Sequence, residues 1–246
     1  MNHLFGDSRD VVKERYALRT PGGFVPSRLP GWNNCTAVVH LSPALGAGFS
    51  QWHVDLAKDG FGVGGTGEDE LAVYVLDGGC SATLGRAAHS LDAGAFAYVP
   101  PQTAYQFQGR GLAARLLFFQ KRYVPLPGQS RPEVMVGHEN QVEAKPFLGH
   151  QGARLKVLLP DDLRFDMAVN IFTYQPGAAL PLVETHIMEH GLVMLKGQGI
   201  YRLDCDWHPV REGDIIWMAP YCPQWFAAVG EAPASYIYYK DVNRAP

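Results

Sequence analysis

LAVYVLDGGCSATLGRAAHSLDAGAFAYVPPQTAYQF, residues Leu71–Phe107, and HGLVMLKGQGIYRLDCDWHPVREGDIIWMAPYCPQWF, residues His190–Phe226, superimpose without a gap at one offset of 119 residues. Gly78 then meets Gly197, Gly94 meets Gly213, Tyr98 meets Trp217, Val99 meets Met218 and Lys121 meets Lys240. Few letters are identical, yet glycines and apolar positions coincide, which marks an internal repeat. Val73–Leu76 and Leu192–Leu195 are short apolar runs that end in glycine turns. Ile200–Leu203, Asp214–Met218 and Ser235–Tyr239 are rich in β-branched and aromatic residues and bounded by turn formers. Strands about ten residues apart predict an all-β chain of sandwiches or barrels, and no sustained 3.6-residue period supports helices. The proline-stiffened stretch VPLPGQSRP, Val124–Pro132, is the natural joint. Two small tandem barrels are therefore expected, Met1–Pro125 and Ser130–Pro246.

The composition agrees. The 246 residues include 27 glycines and 18 prolines, above the usual shares of about 7% and 5%. Hydrophobic residues make up 47% and charged residues 18%, enough apolar surface to offset the entropy of ordering, so disorder is excluded. A net charge of -3 argues against a nucleic-acid partner, because no basic excess exists to displace counterions. Cys35, Cys80, Cys205 and Cys222 are scattered without a C-x-x-C pair and read as free thiols of a reducing compartment. No run approaches the ~20 apolar residues of a membrane span. Met1–Tyr16 is studded with charge and has no apolar core of a signal peptide, so a soluble, cytoplasmic protein is expected.

The segment best suited to chemistry opens the second copy: Leu182-Val183-Glu184-Thr185-His186-Ile187-Met188-Glu189-His190-Gly191. In extended chain Glu184 and His186 point the same way, and a bend near Met188 lets His190 approach with the same parity. Glu189 has the opposite parity and is expected to be solvated. The repeat offset adds Gln224, which stands as far beyond Gly213 as Tyr105 stands beyond Gly94. In the first copy the corresponding positions are Gly65, Gly67, Leu71 and Tyr105. A carboxylate, two imidazoles and an amide oxygen form a hard-to-borderline donor set with open positions. Mn(II) suits it best, ahead of Fe(II) or Zn(II). The alternative is two half-buried histidines paired with a glutamate and no metal.

Two other motifs are weaker. Gly62-Val63-Gly64-Gly65-Thr66-Gly67 spells the dinucleotide fingerprint G-x-G-x-x-G, but a strand follows it and no helix is there to hold a pyrophosphate; a glycine-rich loop is expected. His186–His190 spells H-x-x-E-H, which needs a helix that Pro181 and Gly191 disfavour.

The arrangement resembles the cupin superfamily, with Glu184 in place of the first motif histidine, His190 in place of the glutamate and Gln224 in place of the last histidine. Within it, E-T-H-x-x-E-H-G resembles one bicupin family, the (S)-ureidoglycine aminohydrolases of purine (allantoin) degradation. The likeness extends to Thr20–Gly23, Leu29–Trp32, Lys121–Pro125 and Tyr238–Arg244. It implies tandem double-stranded β-helix (jelly-roll) barrels, the first without metal ligands and the second catalytic. It implies hydrolysis of (S)-ureidoglycine to (S)-ureidoglycolate and ammonia with Mn(II) held by Glu184, His186, His190 and Gln224. Substrate contacts would fall on Tyr201, Tyr236 and Lys240, with Glu184 and Lys240 as catalytic residues. A homo-oligomer would be expected. Two other readings stay open at this point: a cupin oxygenase acting on a small organic acid, and a non-catalytic ligand-binding bicupin.

Overall fold

The computed structural model describes residues 8–244, and among them it contains strands and three short 3-10 turns but no α-helix. The chain divides into two compact units. In one, strands run antiparallel in an eight-stranded sheet. Its order is Val11–Val12, Tyr16–Arg19, Ile215–Met218, His190–Lys196, Ala234–Asp241, Met167–Tyr174, His150–Val157 and Lys145–Phe147. A three-stranded sheet of Asp206–Arg211, Gln198–Leu203 and Gln224–Ala228 belongs to the same unit. Aromatic rings from both sheets, Phe172, Tyr174, Tyr201, Phe226 and Tyr236, share one core cluster. The other unit is built on a seven-stranded sheet from Trp32–Leu41 to Met135–His138, with Phe107, Leu116 and Phe118 in its core.

The paired glycines of the repeat are its turns. Gly78 and Gly197 have φ of 68° and 74°, and Gly94 and Gly213 have 88° and 85°, all in the left-handed region that glycine alone enters freely. A Cβ on Gly78 would lie 2.1 Å from the carbonyl oxygen of Ala113, and one on Gly197 would lie 2.6 Å from that of Pro233. Backbone packing thus demands glycine at equivalent places in both copies.

Three expectations are corrected. The units do not meet at the Val124–Pro132 joint: the first barrel keeps the chain through Val142 and also holds Asp162–Asp166. Residues 8–24 belong to the second barrel. The physical reason is strand pairing and buried charge. Tyr16–Arg19 zips onto Ile215–Met218, with Leu18 opposite Ile216, and Arg9 forks onto the fully buried Asp214 carboxylate at 2.7 and 2.8 Å. Asp166, also fully buried, takes Lys121 and the backbone N–H of Val124.

The gapless offset fails at the last strand of each copy. Leu71 pairs with Gln120, but its counterpart His190 pairs with Lys240. Lys240 therefore corresponds to Gln120, and Lys121 has slipped one residue, which turns it to the opposite face of its sheet. Finally, Gly62–Gly65 is not loop but the end of the strand Ser50–Gly65. Its glycines leave room for rings: a Cβ on Gly62 would overlap Trp32, and one on Gly64 would lie 2.5 Å from the Tyr105 hydroxyl.

Candidate active site

The second barrel encloses a cavity of about 310 Å³, a size suited to a small molecule. Three adjacent strands supply one wall. Ala168, Asn170 and Phe172 alternate inward from Met167–Tyr174, Tyr236, Tyr238 and Lys240 from Ala234–Asp241, and His190 and Leu192 from His190–Lys196. Direct cross-strand pairing sets them in rows: Ala168, Lys240 and His190 in one, Asn170, Tyr238 and Leu192 in the next. Tyr201 and Gln224 enter from the smaller sheet.

Glu184 is held to Gln224 by two backbone hydrogen bonds of 2.8 and 2.9 Å, an isolated bridge within an otherwise irregular Pro181–Glu189 segment. Past it the chain bends, so that the His186 Nδ1–H donates to the carbonyl of Met188 at 3.1 Å. That bond makes His186 Nε2 the acceptor of the ring, within hydrogen-bond distance of the Gln224 Nε2–H group at 3.1 Å and of His190 Nε2 at 3.1 Å. The Tyr201 hydroxyl donates to Gln224 Oε1 at 3.4 Å, and Tyr236 shares a 3.0 Å hydrogen bond with Tyr174.

Burial sets the charge states. It pushes His190 well below the usual imidazole range, and neighbouring His186 and Lys240 push the same way. His186 is lowered too, chiefly by burial. Both rings are therefore neutral near pH 7. Burial raises the Glu184 carboxyl, while the Lys240 ammonium pulls it back down.

All seven residues singled out in the sequence, Glu184, His186, His190, Tyr201, Gln224, Tyr236 and Lys240, line this one cavity. His186, His190 and Gln224 are in contact; the Glu184 side chain lies on the same wall. Among the described residues no group of three or more His, Cys, Asp and Glu side chains is gathered for a metal ion. The tight trio is two imidazoles and an amide. Its donors nevertheless fit a divalent ion: ligands at right angles with bonds of about 2.1 Å stand about 3 Å apart, as these do. A half-turn of the Gln224 carboxamide would present oxygen instead of nitrogen.

One expectation is overturned here. Glu189 is not solvated but 8% exposed, its carboxylate accepting the Trp217 indole N–H at 3.1 Å and its backbone N–H donating to Asp241. Its repeat counterpart Glu70 is bound in the same way by the Tyr98 hydroxyl at 2.7 Å.

The comparisons with known proteins agree with the geometry. A Cupin domain model matches residues 170–239. The (S)-ureidoglycine aminohydrolase of Escherichia coli is 36% identical over 256 residues, spanning 99% of this chain and 97% of its own length. The (S)-ureidoglycine aminohydrolase of Arabidopsis thaliana is 36% identical over 250 residues, covering 100% of this chain and 82% of its own. This chain belongs to the (S)-ureidoglycine aminohydrolase family. A crystal structure of protein Ylba from E. coli superimposes on it with a TM-score of 0.88 at 35% identity, over 98% of this chain and 96% of that one. The fold is accordingly the cupin fold.

Within this aminohydrolase family member the two barrel mouths differ in kind. In the first, the Tyr105 ring lies against Gly64 where the second has Gln224 beside Glu184. Asn170 escaped the sequence reading, although a lone carboxamide at an inward position of the apolar run MAVNIFTY was a signal. No helix of the described residues is long and apolar enough to cross a membrane, and all four cysteines are free.

Proposed function

We propose that this protein is a metal-dependent aminohydrolase that converts (S)-ureidoglycine to (S)-ureidoglycolate and ammonia, with Mn(II) as its ion. The observation that carries this reading is the facing pair of imidazoles, His186 and His190, beside Gln224 and in the same row as Lys240. Glu184, His186, His190 and Gln224 would hold the ion, which when bound supplies Lewis acidity to the substrate and to water. Its relatives' activity, named above, supports the substrate assignment.

The chain's own groups do the rest. Lys240 receives the substrate carboxylate as a point charge, and the Tyr201 and Tyr236 hydroxyls fix the ureido group. The apolar wall, with Phe172 and Leu192, keeps bulk water from the reacting carbon. Glu184 takes a proton from the attacking water and passes it to the amine nitrogen, which departs as ammonia. A homo-oligomeric assembly in the cytoplasm is part of the same reading. The test is ammonia release by Mn-loaded protein from freshly generated ureidoglycine, after subtraction of spontaneous decay, alongside metal analysis. No release above the blank refutes the proposal.

A further inference from the structure

We infer that Asn170 is a specificity residue, its side-chain oxygen accepting the N–H groups at the ureido end of the substrate. The inference rests on the aminohydrolase reading and adds to it the group that recognises urea rather than any other amide. Asn170 is 3% exposed and lines the cavity one row beneath Lys240 and His190. One row is two residues along the strand, about 7 Å, the reach of a ureido arm whose α-carbon and carboxylate sit at His190 and Lys240. Asn170 Nδ2 donates to the Tyr238 hydroxyl at 3.2 Å, while Oδ1 is buried and has no hydrogen-bond partner.

An unpaired buried carbonyl oxygen is costly, and in a strand that otherwise reads as apolar a leucine would avoid it. The surrounding chemistry says what it awaits. The Lys240 ammonium and the hydroxyls of Tyr236 and Tyr238 can donate, so they suit the carboxylate and carbonyl oxygens of the substrate. The ureido N–H groups need acceptors instead. Asp161 and Asn243, also on the wall, are exposed, and the Gln224 oxygen is taken, by Tyr201 as it stands and by the ion once the carboxamide turns. Asn170 Oδ1 is the neutral, buried acceptor left over. A site that hydrogen-bonds an N–H rejects an analogue lacking it far better than an apolar pocket rejects an added group.

The test uses two unreactive ligands that differ at one place, N-carbamoylglycine with a terminal NH2 and N-acetylglycine with a methyl. Calorimetric titration of Mn-loaded full-length protein is expected to favour N-carbamoylglycine by about ten-fold or more. In Asn170→Leu that preference disappears, because N-carbamoylglycine weakens by about ten-fold while N-acetylglycine stays within about two-fold. KM for ureidoglycine rises in step. Should Asn170→Leu fail to fold, as judged by circular dichroism, Asn170→Ala is read the same way. A preference that survives the substitution overturns the inference. So does equal weakening of both ligands, which would place the Asn170 N–H on their shared carbonyl. If wild-type protein releases ammonia and Asn170→Leu does so with unchanged KM, only the role of Asn170 falls. If wild-type protein releases none, the aminohydrolase reading falls and takes this inference with it.

Discussion

Replacing Arg9 with methionine should destabilise the second barrel, although Arg9 lies about two hundred residues before its partner. The guanidinium bonds both Asp214 oxygens, at 2.7 and 2.8 Å, and the carbonyl of Pro209 at 2.8 Å. Asp214 is fully buried, whereas Arg9 is 34% exposed. Stripping one partner from a fully buried ion pair costs about 3–5 kcal/mol. Here water reaches the arginine side, and the backbone N–H of Arg211 still serves Asp214 at 2.9 Å; about 2 kcal/mol is the reasonable loss. For a chain of this size that is about 4–8 °C in Tm. The control is Arg122→Met, which removes an ion pair to Glu68 of 3.7 Å whose side chains are 73% and 65% exposed. It should shift Tm by less than about 1 °C. Calorimetry of the full-length variants decides: if Arg9→Met falls no further than Arg122→Met, the N-terminal segment is not an integral part of the second barrel.

Glu184→Ala should lose both bound Mn, read by elemental analysis, and ammonia release; full activity would remove Glu184 from the reaction. Lys240→Met should raise KM for ureidoglycine by about ten- to hundred-fold, the worth of a charge-assisted hydrogen bond to a carboxylate, and an unchanged KM would mean that the carboxylate binds elsewhere. Gly197→Ala forces a Cβ to 2.6 Å from the carbonyl oxygen of Pro233 at φ 74°. Denaturant titration should therefore record a loss of at least about 1–3 kcal/mol. Asp10 sits below the ordinary carboxylate value of 3.8: burial opposes this, but hydrogen bonds from Ser8, Thr20 and Arg19 outweigh it. A lowered folded-state pKa gives stability that is present above the unfolded value and lost as pH falls through the folded one. Asp10→Asn should accordingly flatten the decline in Tm below about pH 4, and a decline as steep as wild type would exclude Asp10 as a source.

Much of the site was legible because strand chemistry is periodic. Glu184, His186 and His190 share parity across the bend, and the repeat offset led from Tyr105 to Gln224; Tyr201, Tyr236 and Lys240 came from the family resemblance. The structure brings all seven to one cavity. Glu189 shows where parity misleads: facing away from the cavity does not mean facing water, and Trp217 covers its carboxylate. Asn170 was missed because one polar letter in an apolar strand gains meaning only when its neighbours are known to be donors.

The sequence alone determined the all-β character, the duplication and the different residues that the two copies carry at equivalent positions, since these depend on residue types and on spacings of a few residues. Tertiary structure decided which segments complete which barrel and which face Lys240 presents. Both depend on pairings between residues far apart in the chain. The Tyr16–Arg19 strand finds its partner near Ile216, and a slip of one residue in the last strand sends Lys240 inward while Lys121 turns to Asp166. Nothing within either strand specifies its register. Register follows from how the hydrophobic faces and buried charges of distant segments meet.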